Sequence, residues 1–218
     1  MTSSTFFVVT TMEIKKSRGR PRAFDRTQAL ELALQLFWAK GYEGTSLSDL
    51  TSTLGINAPS LYAAFESKPA LYRESISLYL AQQYERIGAL LAQATTARIG
   101  LDAMLRNAAE QFTAPDHPPG CPIASGVLRC AEANAAIGEL TADHRRSSRA
   151  MMLARLQQGQ HDGDLAAKID INALAGFYAG VIQGMSVQAI DGASKTDLLK
   201  MADFAMQAWP ENALSDER

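Results

Sequence analysis

From Asp25 to Trp209 the apolar side chains recur at intervals of three and four residues. No stretch of useful length alternates with the period of two that a half-buried strand needs. That pattern confines the chain to helices. Alanine and leucine lead an apolar fraction of 47%, and aromatics reach only 7%, a balance that suits helix packed on helix rather than a β-sandwich. The expected fold is all-α, with about nine helices: a three-helix N-terminal unit containing a helix-turn-helix, followed by a helical bundle.

The punctuation residues set the boundaries. Asp25 is placed to cap the first helix, with Gln28 three positions on as the reciprocal partner of a capping box. Leu30, Ala33, Leu34, Phe37 and Trp38 follow at helical spacing, and Gly41 ends the helix as a left-handed C′ residue. Thr45 and Ser46 offer hydroxyls to cap a short second helix carrying Leu47, Leu50 and Leu54, which Gly55 breaks. Asn57 caps a third, with Pro59 in its first turn where a missing N–H costs little; it runs to about Phe65. Ser67 caps a fourth, reaching about Leu91. Leu101–Phe112 is amphipathic, and 114–120 is a rigid loop with three prolines. A further helix is expected from Cys121 to about Asn134, and long patterns follow at 140–158, 170–190 and 195–208. The chain divides into a basic arm (1–24), the helix-turn-helix unit (25–66), a helical bundle (67–210) and a tail (211–218).

Several classes are excluded. Two cysteines, Cys121 and Cys130, make no disulfide scaffold, and on one helix their spacing would be about 13 Å of rise against a limit of about 7 Å between bridged Cα atoms. With three histidines no metal site is expected, nor any cofactor. The glycine-rich phosphate loop, Cys-x-x-Cys, His-Glu-x-x-His and Gly-x-Ser-x-Gly patterns are absent, so an enzyme is not expected. Ile171 to Ile190 carries no charge, but Asn172, Gln183, Ser186, Gln188 and three glycines suit a buried helix better than a membrane span. The run Phe6-Phe7-Val8-Val9 is too short for a secretory leader and has no basic segment before it, so the chain reads as cytoplasmic.

Two short helices joined at a glycine within about 20 residues form a helix-turn-helix pattern. Ile56, Leu61 and Phe65 would bury the second of them against Leu30, Leu34 and Phe37. Its other face, Asn57, Ala58, Ser60, Ala63 and Ala64, is small and polar enough to lie in a major groove. The segments Gly41-Tyr42-Glu43-Gly44-Thr45-Ser46-Leu47-Ser48-Asp49-Leu50, Leu54-Gly55-Ile56-Asn57 and Ser60-Leu61-Tyr62-Ala63-Ala64-Phe65-Glu66-Ser67-Lys68 resemble the signature of the TetR/AcrR family of transcriptional regulators. Thr51, Pro59 and Pro69 depart from the residues common at those places in the family. The resemblance covers residues 25–73. It implies an N-terminal DNA-binding domain, a C-terminal domain for ligand binding and dimerisation, and repression relieved by a small molecule.

Within that frame Thr45 and Ser46 stand at a helix N-terminus suited to a phosphate. Tyr62 and Lys68 resemble the family residues that touch the DNA backbone; the alternatives are ordinary packing for Tyr62 and a solvated charge for Lys68. Asn57, Ala58 and Ser60 are the candidate base readers. The chain carries a net charge of only −2, so a uniformly basic coat is excluded. Residues 15–26 nevertheless hold six basic residues against one acid. Arg18, Arg20 and Arg22 resemble arms that enter a narrow minor groove, the alternative being a solvated charge run.

The bundle is less explicit. Gly176, Gly180 and Gly184 recur every four residues beside Ala173, and together with Phe177, Val181 and the last helix, including Phe204, they look like the family's dimer interface; intrachain packing is the alternative. A twofold homodimer would match a palindromic operator in double-stranded DNA. Tyr79, Gln83, Tyr84, Met104, Phe112, Met152 and Tyr178 are candidate effector contacts, each also explicable as core. His144 with Arg145 and Arg146 reads as a solvated helix face. Cys121, expected at a helix N-terminus, would there have a lowered pKa and react with electrophiles or oxidants; the alternative is a buried structural residue. The expected function is a sequence-specific regulator, a repressor released from its operator by a small-molecule effector. The runner-up is a helical small-molecule or redox sensor built on Cys121, without sequence-specific DNA binding.

Overall fold

The computed structural model describes residues 25–210; the arm with Arg18, Arg20 and Arg22 and the tail 211–218 lie outside the described residues. Eight α-helices and one short 3-10 turn follow in order: α1 (Arg26–Gly44), α2 (Leu47–Leu54), α3 (Ala58–Phe65), α4 (Lys68–Gln93), α5 (Ala97–Phe112), the 3-10 turn (Glu132–Asn134), α6 (Ala135–Asp162), α7 (Ile171–Ile190) and α8 (Lys195–Gln207). No strand occurs among the described residues.

The caps are those that the polar residues before each apolar run announce. Asp25 accepts from the backbone N–H groups of Thr27 and Gln28 at 3.0 and 3.1 Å, so Gln28 contributes its main chain. Ser46 and Asp49 close a full capping box on α2, and Asn57 Oδ1 accepts from Ser60 N at 2.9 Å to start α3. Each satisfies orphan donors at a cost-free position outside the helix. Gly55 ends α2 in the left-handed region at φ 64°, ψ 28°, which sets the tight turn into α3. Gly41 differs from expectation. Its φ of 70° and ψ of 169° kink α1, and the helix resumes for one short turn to Gly44.

The expected helix from Cys121 to Asn134 is not formed. Residues 122–127 are a chain of turns, followed only by the 3-10 turn. Tertiary partners take the groups a helix would have used. Cys121 N donates to Ser186 Oγ at 2.8 Å, Ile123 O accepts from Arg145 at 2.9 Å, and Ala131 N donates to Glu43 at 2.9 Å. The segment is a strap that runs from α5 across α7 to the end of α1. Eight of the nine expected helices are present, with α5 starting earlier, at Ala97 under a Thr96 cap.

Two cores result. Phe37, Tyr42, Leu50, Leu61 and Phe65 bury the reading head, and Leu71, Tyr72, Ile76, Ile123, Val127 and Ile137 belong to the same cluster. The boundary drawn at residue 66 is therefore no break in packing: the first half of α4 and the strap complete the head. The second core gathers around α5, which packs on α4, α6, α7 and α8. Helix α7 is long and apolar enough to cross a membrane, yet Ala175, Tyr178, Met185, Ser186 and Ala189 form a buried face within the bundle.

Gly41 adopts a backbone conformation essentially confined to glycine, and a Cβ there would stand 3.4 Å from Gly126 O of the strap. Gly41→Ala is expected to destabilise the protein by about 1–3 kcal/mol, read from urea unfolding.

Candidate nucleic-acid interface and effector cavity

Burial of Leu61 and Phe65 turns the rest of α3 outward: Asn57, Ala58, Pro59, Ser60, Tyr62 and Ala63 are all exposed. Lys68, at the start of α4, lies beside this face with its Nζ 4.2 Å above the Tyr42 ring. Burial pushes its pKa down while Glu43 opposes that shift. Ser46 is exposed, but its hydroxyl and N–H both bond to the Asp49 carboxylate at 2.7 and 2.9 Å. Those bonds and Lys40, at 2.8 Å, hold the Asp49 carboxyl well below the usual carboxylate range.

Thr45 is a correction. Its side chain is fully buried and its hydroxyl donates to Gly41 O at 2.7 Å, because the kink at Gly41 turns it inward. It presents no hydroxyl to a phosphate. The face thus joins Asn57, Ala58, Ser60, Tyr62 and Lys68, with Ser46 at its edge.

Behind the head lies a cavity of about 120 Å³. Tyr79, Gln83 and Tyr84 of α4 line it, with Met104 and Phe112 of α5, Met152 of α6 and Cys121 of the strap. Tyr178 does not. It is buried in the bundle, donates to Ala205 O at 3.2 Å, and burial pushes its pKa up to about 12. Sequence reasoning missed Arg145. It is half-buried on the cavity wall and donates to Ile123 O, whereas Arg146 is exposed and paired with Glu139 and Asp143. His144 is half-buried too, with Nδ1 3.4 Å from Tyr84 Oη. The recoverable signal was the spacing Thr141, Arg145, Ser148, Met152, which forms one inward stripe of α6.

Cys121 is also corrected. No helix begins there, and its thiol faces Tyr79 Oη at 3.2 Å. Burial raises its pKa, outweighing the hydrogen bonds from Tyr79 and the Ala124 and Ile123 N–H groups and the field of Arg145. Cys121 and Cys130 are both free thiols.

Helix α7 leaves its other face uncovered. Ala173, Phe177, Gly180 and Val187 are exposed along one stripe, and Phe204 of α8 is 71% exposed. A Cβ at Gly180 or Gly184 would meet open space, whereas at Gly176 it would face Arg149 of α6 at 3.6 Å. Gly176 thus stands at the margin of the open stripe.

A helix-turn-helix head with an outward α3, carried on an all-helical bundle that encloses a cavity, is the architecture of a DNA-binding transcriptional regulator. The chain belongs to the TetR family: residues 29–74 match the model of bacterial regulatory proteins of the tetR family, and residues 96–190 that of the tetracyclin repressor-like C-terminal domain. It is 37% identical over 205 residues to the HTH-type transcriptional repressor ComR of Escherichia coli (strain K12), spanning 91% of this chain and 95% of ComR. It is 35% identical over 115 residues to the repressor BdcR of the same strain, covering 52% and 58% of the two chains. Its fold also resembles a cysteine-substituted form of the TetR family regulator CifR bound to 26-base-pair operator DNA. That likeness has a TM-score of 0.84 and 41% identity, over 88% of this chain and 100% of CifR.

Two outcomes follow from this geometry. Lys68→Ala should weaken DNA binding on every duplex alike and shrink the slope of log affinity against log salt by about one, measured by fluorescence anisotropy. A raised pKa leaves little thiolate at neutral pH. Cys121 should therefore react with iodoacetamide at pH 7.5 more slowly than glutathione, gaining rate as pH rises, followed by peptide mass spectrometry.

Proposed function

We propose that the chain is a cytoplasmic homodimeric repressor that reads a palindromic operator through α3 and is released when a small molecule fills the cavity between α4, α5, α6 and the strap. The observation that carries the reading is the reading face itself. Six exposed residues, Asn57 to Ser60 with Tyr62 and Ala63, lie beside Lys68 on a head whose other side is closed by the core. Backbone contacts from Ser46, Tyr62 and Lys68 would fix the register, and α3 would meet base edges. The basic arm, with Arg18, Arg20 and Arg22, adds phosphate or minor-groove attraction.

The uncovered stripe of α7 and Phe204 supports a dimer, because a large exposed apolar face beside Gly180 and Gly184 lets helix backbones approach closely. Cys121 and Tyr79 support the effector reading. Cys121 packs against both cores, so an occupant of the cavity touches residues that hold the head. Release then requires the occupant to bind the non-reading arrangement more tightly than the reading one. Reversible binding is favoured over thiol chemistry by the burial that keeps Cys121 protonated.

The test is selection of bound fragments from sheared genomic DNA of the source organism by the purified full chain at two salt concentrations, with sedimentation of the same sample. The expected result is a dimer and one enriched palindrome at both concentrations. Weak binding without sequence preference, lost as salt rises, would overturn the reading in favour of a sensor that does not read DNA.

A further inference from the structure

We propose that the recognition helix selects its operator by the 5-methyl groups of thymine, received by Pro59 and Ala63, and not by hydrogen bonds to purines; this rests on the regulator reading above. The side chains that read bases by paired hydrogen bonds are few in kind. Arg or Lys pairs with guanine, Asn or Gln with adenine, and Asp or Glu accepts from cytosine. Between Leu47 and Phe65, the whole of α2, the turn and α3, there is no Arg, Lys, Gln, Glu or His, one Asn and one Asp.

Both exceptions are occupied. Asn57 Oδ1 accepts from Ser60 N at 2.9 Å, which holds the amide over the start of its own helix, and a two-point contact with adenine would have to share that oxygen. Asp49 bonds Ser46 N, Ser46 Oγ and Lys40 Nζ. Three cations of the described head are held too. Arg26 lies over the Phe65 ring, bonded to Glu74 at 2.6 Å and to Ala64 O at 3.4 Å; Lys40 is bound by Asp49; Lys68 sits on Tyr42.

What α3 does offer is apolar. At about 100° per residue, Pro59 and Ala63 fall opposite the buried Leu61 and Phe65, with the hydroxyls of Ser60 and Tyr62 flanking them on either side. The thymine C5-methyl is the apolar group that a base edge shows in the major groove, and short apolar side chains are its partners. Small residues also let the helix sit deep enough to reach it.

The experiment uses the full chain and the duplex recovered by selection, with each half-site thymine replaced in turn by deoxyuridine and each guanine by 7-deazaguanine. Loss of one buried methyl should cost about fourfold in affinity at the thymines under α3. 5-Bromouracil, similar in size to the methylated base, should restore it. The uracil penalty should shrink at one thymine in Ala63→Gly and at its neighbour in Pro59→Ala, a coupling that a merely structural role would not produce. Uracil substitutions that all leave affinity unchanged, or 7-deazaguanine losses larger than any uracil loss, would overturn the proposal while leaving the regulator reading intact. Uracil penalties identical in the parent and both variants would overturn the assignment to these side chains. Equal affinity for the operator and a scrambled duplex would overturn both readings together.

Discussion

The ring of Phe37 on α1 meets that of Tyr72 on α4 edge-on at 5.1 Å, and Tyr42 closes the cluster against both. The orientation of the reading face depends on this contact. Helices of eight residues such as α2 and α3 are far too short to be stable alone. They are held because Leu50, Leu61 and Phe65 are buried in one core, where α2 packs on α1, α3 packs on α2 and α4, and α1 lies along α4. Aromatic pairs in this edge-to-face geometry contribute about 0.5–1.5 kcal/mol beyond their buried area. Burial also pushes the Tyr72 phenol far above its usual value, so it stays neutral in the cluster.

The same architecture ties the head to the cavity. Trp38 lies one residue beyond Phe37. Its ring packs edge-on to Tyr79 at 5.2 Å and stacks at 4.2 Å on His117, in the proline-rich loop that leads into the strap. Tyr79 touches Cys121, which lines the cavity. At the other end of the strap, Glu43 accepts from Ala131 N and Asn134 Nδ2, both at 2.9 Å, and these bonds hold its carboxyl below the usual range. The strap and the loop that leads into it therefore grip α1 at two places, Trp38 and Glu43, while Cys121 N is bonded to Ser186 of α7. Close packing transmits displacement instead of absorbing it, and these contacts join a wall of the cavity to the end of α1.

The head was legible in the sequence because its signals are local. Asp25, Ser46, Asn57 and Ser67 each cap the helix that follows within three residues, and Gly55 declares the turn. Seven of the eight proposed effector contacts line one cavity because a stripe at helical spacing marks an inward face whether or not a ligand meets it. The failures are places where a distant group decides. The Cys121–Asn134 segment has helical composition, but Ser186, Arg145 and Glu43, far along the chain, take its backbone groups. Thr45 has the composition of a phosphate contact and is turned inward by the backbone at Gly41. Tyr178 stands on the inward face of α7 but meets Ala205 instead of the cavity. The charge of Arg145 suggests a surface residue, whereas its place on the stripe from Thr141 to Met152 puts it on the cavity wall.

On the reading proposed above, affinity and selectivity are assigned to different parts of the sequence. With a net charge of −2 the chain as a whole does not attract DNA, and the strongest concentration of positive charge is residues 15–26, ahead of α1. Phosphate neutralisation supplies most non-specific binding and carries no base information. A reading helix crowded with Lys and Arg would add to that attraction on every sequence. Here α2 and α3 contain none, and the cations around them are engaged by Glu74, Asp49 and Tyr42. On that reading such a head would gain little from a wrong duplex, because removing Asn57, Ser60 or Tyr62 from water without a partner is unfavourable. Binding to the wrong sequence would then rest on phosphate contacts alone, which weaken as salt rises, while the right sequence would keep its apolar contacts, which are not electrostatic.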